Sequence, residues 1–252
     1  MFRPRLIPVL LLKNNGLVKT TKFKKPRYIG DPLNAVQIFN KFQTDELIFL
    51  DIEASSKGCT ISSDLVKEIG DEAFMPFGVG GGINDLNQAE KLFTAGAEKV
   101  IINTACHNNI KLISEISETY GKQSVVVSLD VKKNFFGKQK VYVKSGSLNT
   151  GLDPVEMAIL AEEHGAGEIM ITSIDHEGMK MGFDYQLIKN VQKAVRIPVI
   201  ANGGLYSLDH YKLAYEYGAS AIAGGSFFVY SGNQDGILIN YPEKIELFNL
   251  FK

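Results

Sequence analysis

Apolar residues in this chain gather into eight short, near-continuous runs. They are Leu6–Leu12, Leu47–Ile52, Met75–Val79, Lys99–Asn103, Ser124–Asp130, Glu168–Thr172, Pro198–Ala201 and Ala219–Ala223. A strand wetted on one face alternates with period two, so unbroken runs predict parallel strands covered on both faces. The stretches between them carry helical spacing and recognisable starts. Asp31-Pro32 and Asp153-Pro154 each place a capping carboxylate ahead of a proline at the first helical position. Gly96 and Gly218 stand where helices should stop. Eight βα units predict a (β/α)8 barrel rather than an open doubly wound sheet of five or six strands. The segment Lys132–Ser147 (KKNFFGKQKVYVKSGS) breaks the rhythm and predicts a β-hairpin inserted after the fifth strand.

An internal repeat adds to this reading. PFGVGGGINDLNQAEKLFTAGAEKVIINTA begins at Pro76, and PVIANGGLYSLDHYKLAYEYGASAIAGGSF begins at Pro198, an offset of 122. Without gaps, Gly81 meets Gly203, Gly82 meets Gly204, Gly96 meets Gly218 and Ala97 meets Ala219. The expected organisation is one barrel over residues 1–252, made of two similar halves, about 1–120 and 121–252.

Composition narrows the function classes. With 252 residues and 45% apolar content, the chain can bury a full core without disulfides or metals, which excludes disordered and fibrous classes. Its net charge of −1 gives no basic field for nucleic acid. Cys59 and Cys106, with His107, His164, His176 and His210, lack metal-ligand spacing, so no metal and no cofactor are expected. No apolar run is long enough to span a bilayer. Residues 1–12 have the look of a short signal segment, but Pro8 interrupts them and no small-residue cleavage site follows, so they read as a strand in a cytoplasmic protein. Charge is unevenly placed, however. Residues 1–30 hold eight basic residues and no acidic one, either a solvated loop or a lid that attracts an anionic ligand.

Candidate chemistry lies past the C-terminal ends of the predicted strands, where barrels of this kind build their sites. Gly80-Gly81-Gly82 with Asn103 and Thr104 could form one anion cradle, and Gly203-Gly204 with Gly224, Gly225 and Ser226 its twin. The plainer alternative is that the glycines only permit tight turns. Two cradles would suit an elongated small molecule phosphorylated at both ends. Asp51, Asp130 and Asp175 end the second, fifth and sixth predicted strands, with Glu53 and Glu177 close behind. Asp130 follows the apolar run VVVSL, so it should point into the mouth with a perturbable pKa. Lys13 and Lys132 also follow strand ends, a placement open to a Schiff-base lysine.

Over nearly its whole length the chain resembles the HisF family, the cyclase subunits of imidazole glycerol phosphate synthase. The resemblance is carried by FLDIEAS (49–55), FGVGGGIND (77–85), EKVIINTA (98–105), VVVSLDVK (125–132), NTG (149–151), GAGEIMITSID (165–175), GMKMGFD (178–184) and IANGG (200–204). It implies two phosphate cradles, with Gly82, Asn103, Thr104, Gly204, Gly225 and Ser226 as the binding positions. It also implies a substrate mouth that includes Lys19, Asp51, Asp175, Glu177 and Asn202. A HisH-like glutaminase is expected at the N-terminal barrel face, with ammonia passing through the barrel. The family's ammonia gate is a ring of four charged residues, matched here by Arg5, Glu46, Lys99 and Glu168. A stabilising ion-pair plug is the alternative use of that ring.

One departure matters most. The family's cyclase uses two aspartates across the mouth; Asp130 matches one, and the other position is Leu11. Glu177 replaces an aspartate and Asn202 a common serine. Retained ring and lost aspartate together resemble a paralogous, WbuZ-like branch found with surface-polysaccharide genes. There, barrel and glutaminase are thought to supply ammonia to a sugar amidotransferase that forms an acetamidino group. Two other readings stay open: a genuine histidine-pathway cyclase, and a scaffold that only activates the glutaminase.

Overall fold

All eight apolar runs become parallel strands in a computed structural model that describes residues 3–232 and 234–252. The strands are β1 (Arg5–Lys13), β2 (Leu47–Asp51), β3 (Phe77–Gly80), β4 (Lys99–Ile102), β5 (Val125–Lys133), β6 (Glu168–Ser173), β7 (Val199–Asn202) and β8 (Ala221–Gly224). Each pairs with the next, and β8 closes on β1 through Arg5 opposite Ala221. The result is a closed (β/α)8 barrel. Its helices start and stop where the sequence signals them: Asp31 accepts from the Asn34 N–H at 3.0 Å, and Asp153 accepts from Val155 at 2.8 Å. Gly96 (φ 109°) and Gly218 (φ 101°) take the left-handed turn after helices Leu86–Thr94 and Leu208–Glu216.

Alternation along each strand sorts its side chains into two cores. Leu6, Leu10 and Leu12 of β1 face the helices, in an outer core that also holds Phe39, Phe49 and Val127. Ile7 and Val9 face inward to meet Ile48, Ile101, Val126, Met170 and Ile200, with Leu11 and Leu50 against them. Arg5, Ile7, Val9 and Leu11 therefore form one inward column from floor to mouth. The other columns follow the same parity: Glu46–Ile48–Leu50, Lys99–Ile101–Asn103, Val126–Ser128–Asp130 and Glu168–Met170–Thr172. At β3 the inward positions are Gly78 and Gly80, where a Cβ would lie 2.8 Å from Ile101 and Leu50 respectively.

Two hairpins rise above the mouth. The one predicted after β5 is present: the strand runs on to Lys133, and Gln139–Val143 pairs back against it, with Asp130 opposite Tyr142. Asp130 consequently lies within β5, not at its end. The other hairpin, first in chain order, has strands Gly16–Thr21 and Lys24–Gly30 and pairs with the end of β1 and with itself. The basic segment expected as a loop or lid is thus ordered β-structure. Among the described residues, no helix is long and apolar enough to cross a membrane.

Candidate functional site

The C-terminal ends of the strands enclose a cavity of about 280 Å³, whose wall includes inward residues from the top of most columns. One side is apolar, with Val9, Leu11, Leu50, Ile52, Ile83 and Ile101. The other is polar, with Ser128, Asp130, Thr172, Asn202, Lys19 and Glu177. Leu11 faces this cavity from β1.

Asp130 is buried, 9% exposed, and among the described residues has no cationic partner in hydrogen-bond reach. Asn103 Nδ2 donates to its Oδ2 at 3.0 Å and to the Ser128 carbonyl, also at 3.0 Å, which fixes the amide's orientation. Desolvation pushes the Asp130 pKa up to about 7, against the hydrogen bonds from Asn103 and Thr172 and with some help from the charge of Glu177. A carboxyl poised near neutrality can take or give a proton at physiological pH.

Lys19 is the cavity's lysine. Its ammonium is buried against Glu177 Oε1 and also donates to the Thr20 carbonyl at 3.1 Å. Glu177 does more than pair. Its Oε1 accepts from the Thr20 hydroxyl at 3.3 Å, its Oε2 from the Phe23 N–H at 3.1 Å, and its carbonyl from the Lys22 N–H at 3.0 Å. The first hairpin is thereby fastened to the loop after β6. Nothing in the apolar pattern of the sequence signals this clasp, since its partners are more than 150 residues apart.

The glycine elbows need glycine. At Gly82 (φ 71°) a Cβ would fall 1.8 Å from the Cys59 carbonyl oxygen, and at Gly204 (φ 139°) 2.2 Å from that of Gly182. Gly225 has φ −114°, and there a Cβ would crowd Lys19 Cε at 2.9 Å. Thr104 and Ser226 begin the short helices Thr104–Asn108 and Ser226–Val229, both without a side-chain cap. The Thr104 hydroxyl accepts from the Lys144 N–H at 3.1 Å, so the second hairpin leans on the first elbow.

Other sequence candidates take different places. Asp51 borders the cavity, yet its Oδ1 caps backbone N–H groups of Glu53 (2.8 Å) and Ala54 (3.0 Å). Asp175 lies two residues past β6, apart from the cavity wall, where its Oδ2 accepts from the Lys133 N–H at 3.0 Å. Asn202 lines the wall and donates to the Thr172 hydroxyl at 3.1 Å. Lys13 pairs with Glu53, and Lys132 lies over the Tyr142 ring. Thr172 went unread in the sequence because the apolar run IMIT hides its hydroxyl; strand parity was the available signal. Among the described residues, no group of three or more His, Cys, Asp or Glu side chains could hold a metal ion.

At the opposite end of the barrel, Arg5, Glu46, Lys99 and Glu168 close a ring. Arg5 bonds both glutamates through its two terminal nitrogens, and Lys99 reaches Glu46 at 2.9 Å and Glu168 at 3.0 Å. Each cation touches two anions and each anion two cations. Burial disfavours the charge on Arg5, but Glu168 and Glu46 outweigh it and its pKa is raised. Beside the ring, Arg3 forks onto Asp45 at 2.5 and 2.7 Å.

Fold and cavity together define a TIM barrel whose pocket, apolar on one side and polar on the other, opens at the C-terminal ends of its strands. The chain belongs to the histidine biosynthesis protein family, which it matches over residues 5–235. It is 47% identical to the "Putative imidazole glycerol phosphate synthase subunit hisF2" of Pseudomonas aeruginosa, across 96% of this chain and 97% of that protein. It is also 45% and 41% identical to proteins of Leptospira borgpetersenii and Leptospira interrogans. Both are named "Putative imidazole glycerol phosphate synthase subunit HisF" and align over their full lengths.

Proposed function

We propose that this HisF-like barrel pairs with a HisH-like glutaminase at its N-terminal face and conducts ammonia to its mouth. There the ammonia supports amidation of a surface-polysaccharide sugar by a separate sugar amidotransferase, rather than ring closure within the barrel. One observation carries the reading. The four-charge ring at the floor is complete, whereas the mouth holds a single poised carboxylate, Asp130, with Leu11 on the facing wall. A leucine cannot transfer a proton, and losing a general acid or base costs about 10²–10⁴-fold in rate. In this reading ammonia follows the inward column Ile7–Val9–Leu11, whose apolar side chains offer no competing base.

In this reading the elbows at Gly82 with Asn103 and Thr104, and at Gly204 with Gly225 and Ser226, hold a phosphorylated small molecule. Lys19, Asp51 and Asn202 border its space, Glu177 holds the lid over it, and Asp175 supports the second hairpin from below. No cofactor is required.

The test is delivery. With the glutaminase bound, nitrogen from the glutamine amide should appear in an acceptor added at the mouth. Lys99→Met should cut that transfer at least about tenfold while glutamine hydrolysis persists. Transfer unaffected by Lys99→Met or Glu168→Gln would sink the channel and leave only a scaffold.

A second reading, a genuine imidazole glycerol phosphate synthase cyclase, is favoured by a specific feature. Asp130 sits near neutrality beside the Lys19–Glu177 pair, so proton transfer could run through these groups without a second aspartate. The names of the relatives point the same way.

A further inference from the structure

The hairpin after β5 ends in a feature that the cavity does not use. Phe135 and Phe136 are 98% and 82% exposed, packed only edge to face on each other at 5.6 Å. The turn that presents them is specified. Asn134 Oδ1 accepts from the N–H groups of Phe136 and Lys138, each at 3.0 Å, and the Asn134 N–H donates to the Lys138 carbonyl at 2.8 Å. Gly137 supplies the left-handed residue at φ 75°.

The hairpin's own sequence carries charge of one sign. Residues 131–152 contain five lysines and no acidic residue. The neighbouring hairpin adds the exposed Lys22, Lys24 and Lys25, also with no acidic residue from 13 to 30. The first hairpin touches the second beyond its Val143 end, where a Cβ at Gly146 would lie 3.1 Å from the Phe23 ring. Two carboxylates reach the last paired residues before the turn, Asp175 on the Lys133 N–H and Asp184 on the Gln139 amide, and the five lysines still leave the hairpin net positive.

We propose that this tip is an interfacial anchor that seats the mouth face against an anionic lipid surface. A convex pair of bare phenyl rings, flanked in sequence by Lys132, Lys133, Lys138 and Lys140, requires no matching pocket in a bilayer. The rings enter the boundary of the acyl region while the ammonium groups stay among the headgroups. A protein partner of ordinary interface size would need a broad complementary patch, which a protruding turn does not offer. The binding is weak and reversible, and salt weakens it.

Co-sedimentation of the full chain with vesicles tests the anchor. The chain should pellet with phosphatidylglycerol–phosphatidylcholine vesicles at low salt and not with phosphatidylcholine alone. Phe135→Ser/Phe136→Ser should weaken the binding at least about tenfold, with thermal unfolding unchanged because both rings are exposed. The chain has no tryptophan, so Phe135→Trp places a single reporter at the tip, and its emission should shift to the blue with anionic vesicles. No pelleting at low salt, or pelleting indifferent to the double substitution, would overturn the proposal. So would loss, in the double variant, of a specific acidic protein partner by a chain that ignores vesicles.

Discussion

The two ends of this barrel handle buried carboxylates in opposite ways. At the floor, Glu46 (2% exposed) and Glu168 (8%) each meet both Arg5 and Lys99, so the cost of burying charge is offset within a closed ring. At the mouth, Asp130 is equally dry but has only neutral donors, and its pKa rises to about 7. The nearby cation, Lys19, is committed to Glu177 instead. The same strand parity that stacks the columns produces both ends. Pairing fixes charge at the floor, and its absence at the mouth leaves a carboxyl that can exchange a proton near neutrality.

The largest effect should come from breaking the ring. Glu168→Ala leaves two cations with one carboxylate between them and should cost about 3–5 kcal/mol in urea unfolding. A cost under about 1 kcal/mol would mean that water already screens the floor. At the mouth, Glu177→Ala should cost less, about 2–3 kcal/mol, because the hairpin it fastens can shift to rehydrate Lys19. Its diagnostic consequence is local: amide exchange in Gly16–Gly30 should accelerate while the barrel strands stay protected. Gly82→Ala tests the elbow, where strain at positive φ and the clash with Cys59 predict a loss of about 2–3 kcal/mol.

The unpaired carboxylate gives a pH signature of its own. Because the Asp130 pKa is higher folded than unfolded, the native state holds a proton that the unfolded state has released. Its stabilising contribution is fully present below about pH 4 and is lost as pH rises through about 7. Asp130→Asn should remove that slope, so its urea midpoint relative to the parent should improve from pH 5 to pH 8. Parallel profiles would mean that Asp130 is solvated. A catalytic test separates the two readings: if the mouth already cyclises through Asp130 and Lys19, Leu11→Asp should alter turnover little. A large gain would expose a site that lost its second acid.

Much of this contrast could be read in the sequence. Uninterrupted apolar runs fixed the eight strands, and prolines after aspartates fixed helix starts, because both signals are local. The hairpin after β5 was legible from its own alternation. The hairpin after β1 was not, since GLVKTTKFKKPRYIG offers little apolar face and depends on Glu177, far along the chain. Asp51 and Asp175 both read as mouth carboxylates. Which one borders the cavity depends on backbone N–H groups that only the folded loops bring near: Glu53 and Ala54 for one, Lys133 for the other. The value of Leu11 likewise depended on register, which sets it at the top of an inward column.

The most direct test of the central claim is turnover of the ribulosyl-imidazole precursor by the chain mixed with a HisH-like glutaminase, with glutamine as nitrogen source. The account predicts brisk glutamine hydrolysis and cyclised product at least about a hundredfold below the rate of a two-aspartate relative. Cyclisation at the full rate of such a relative would contradict it.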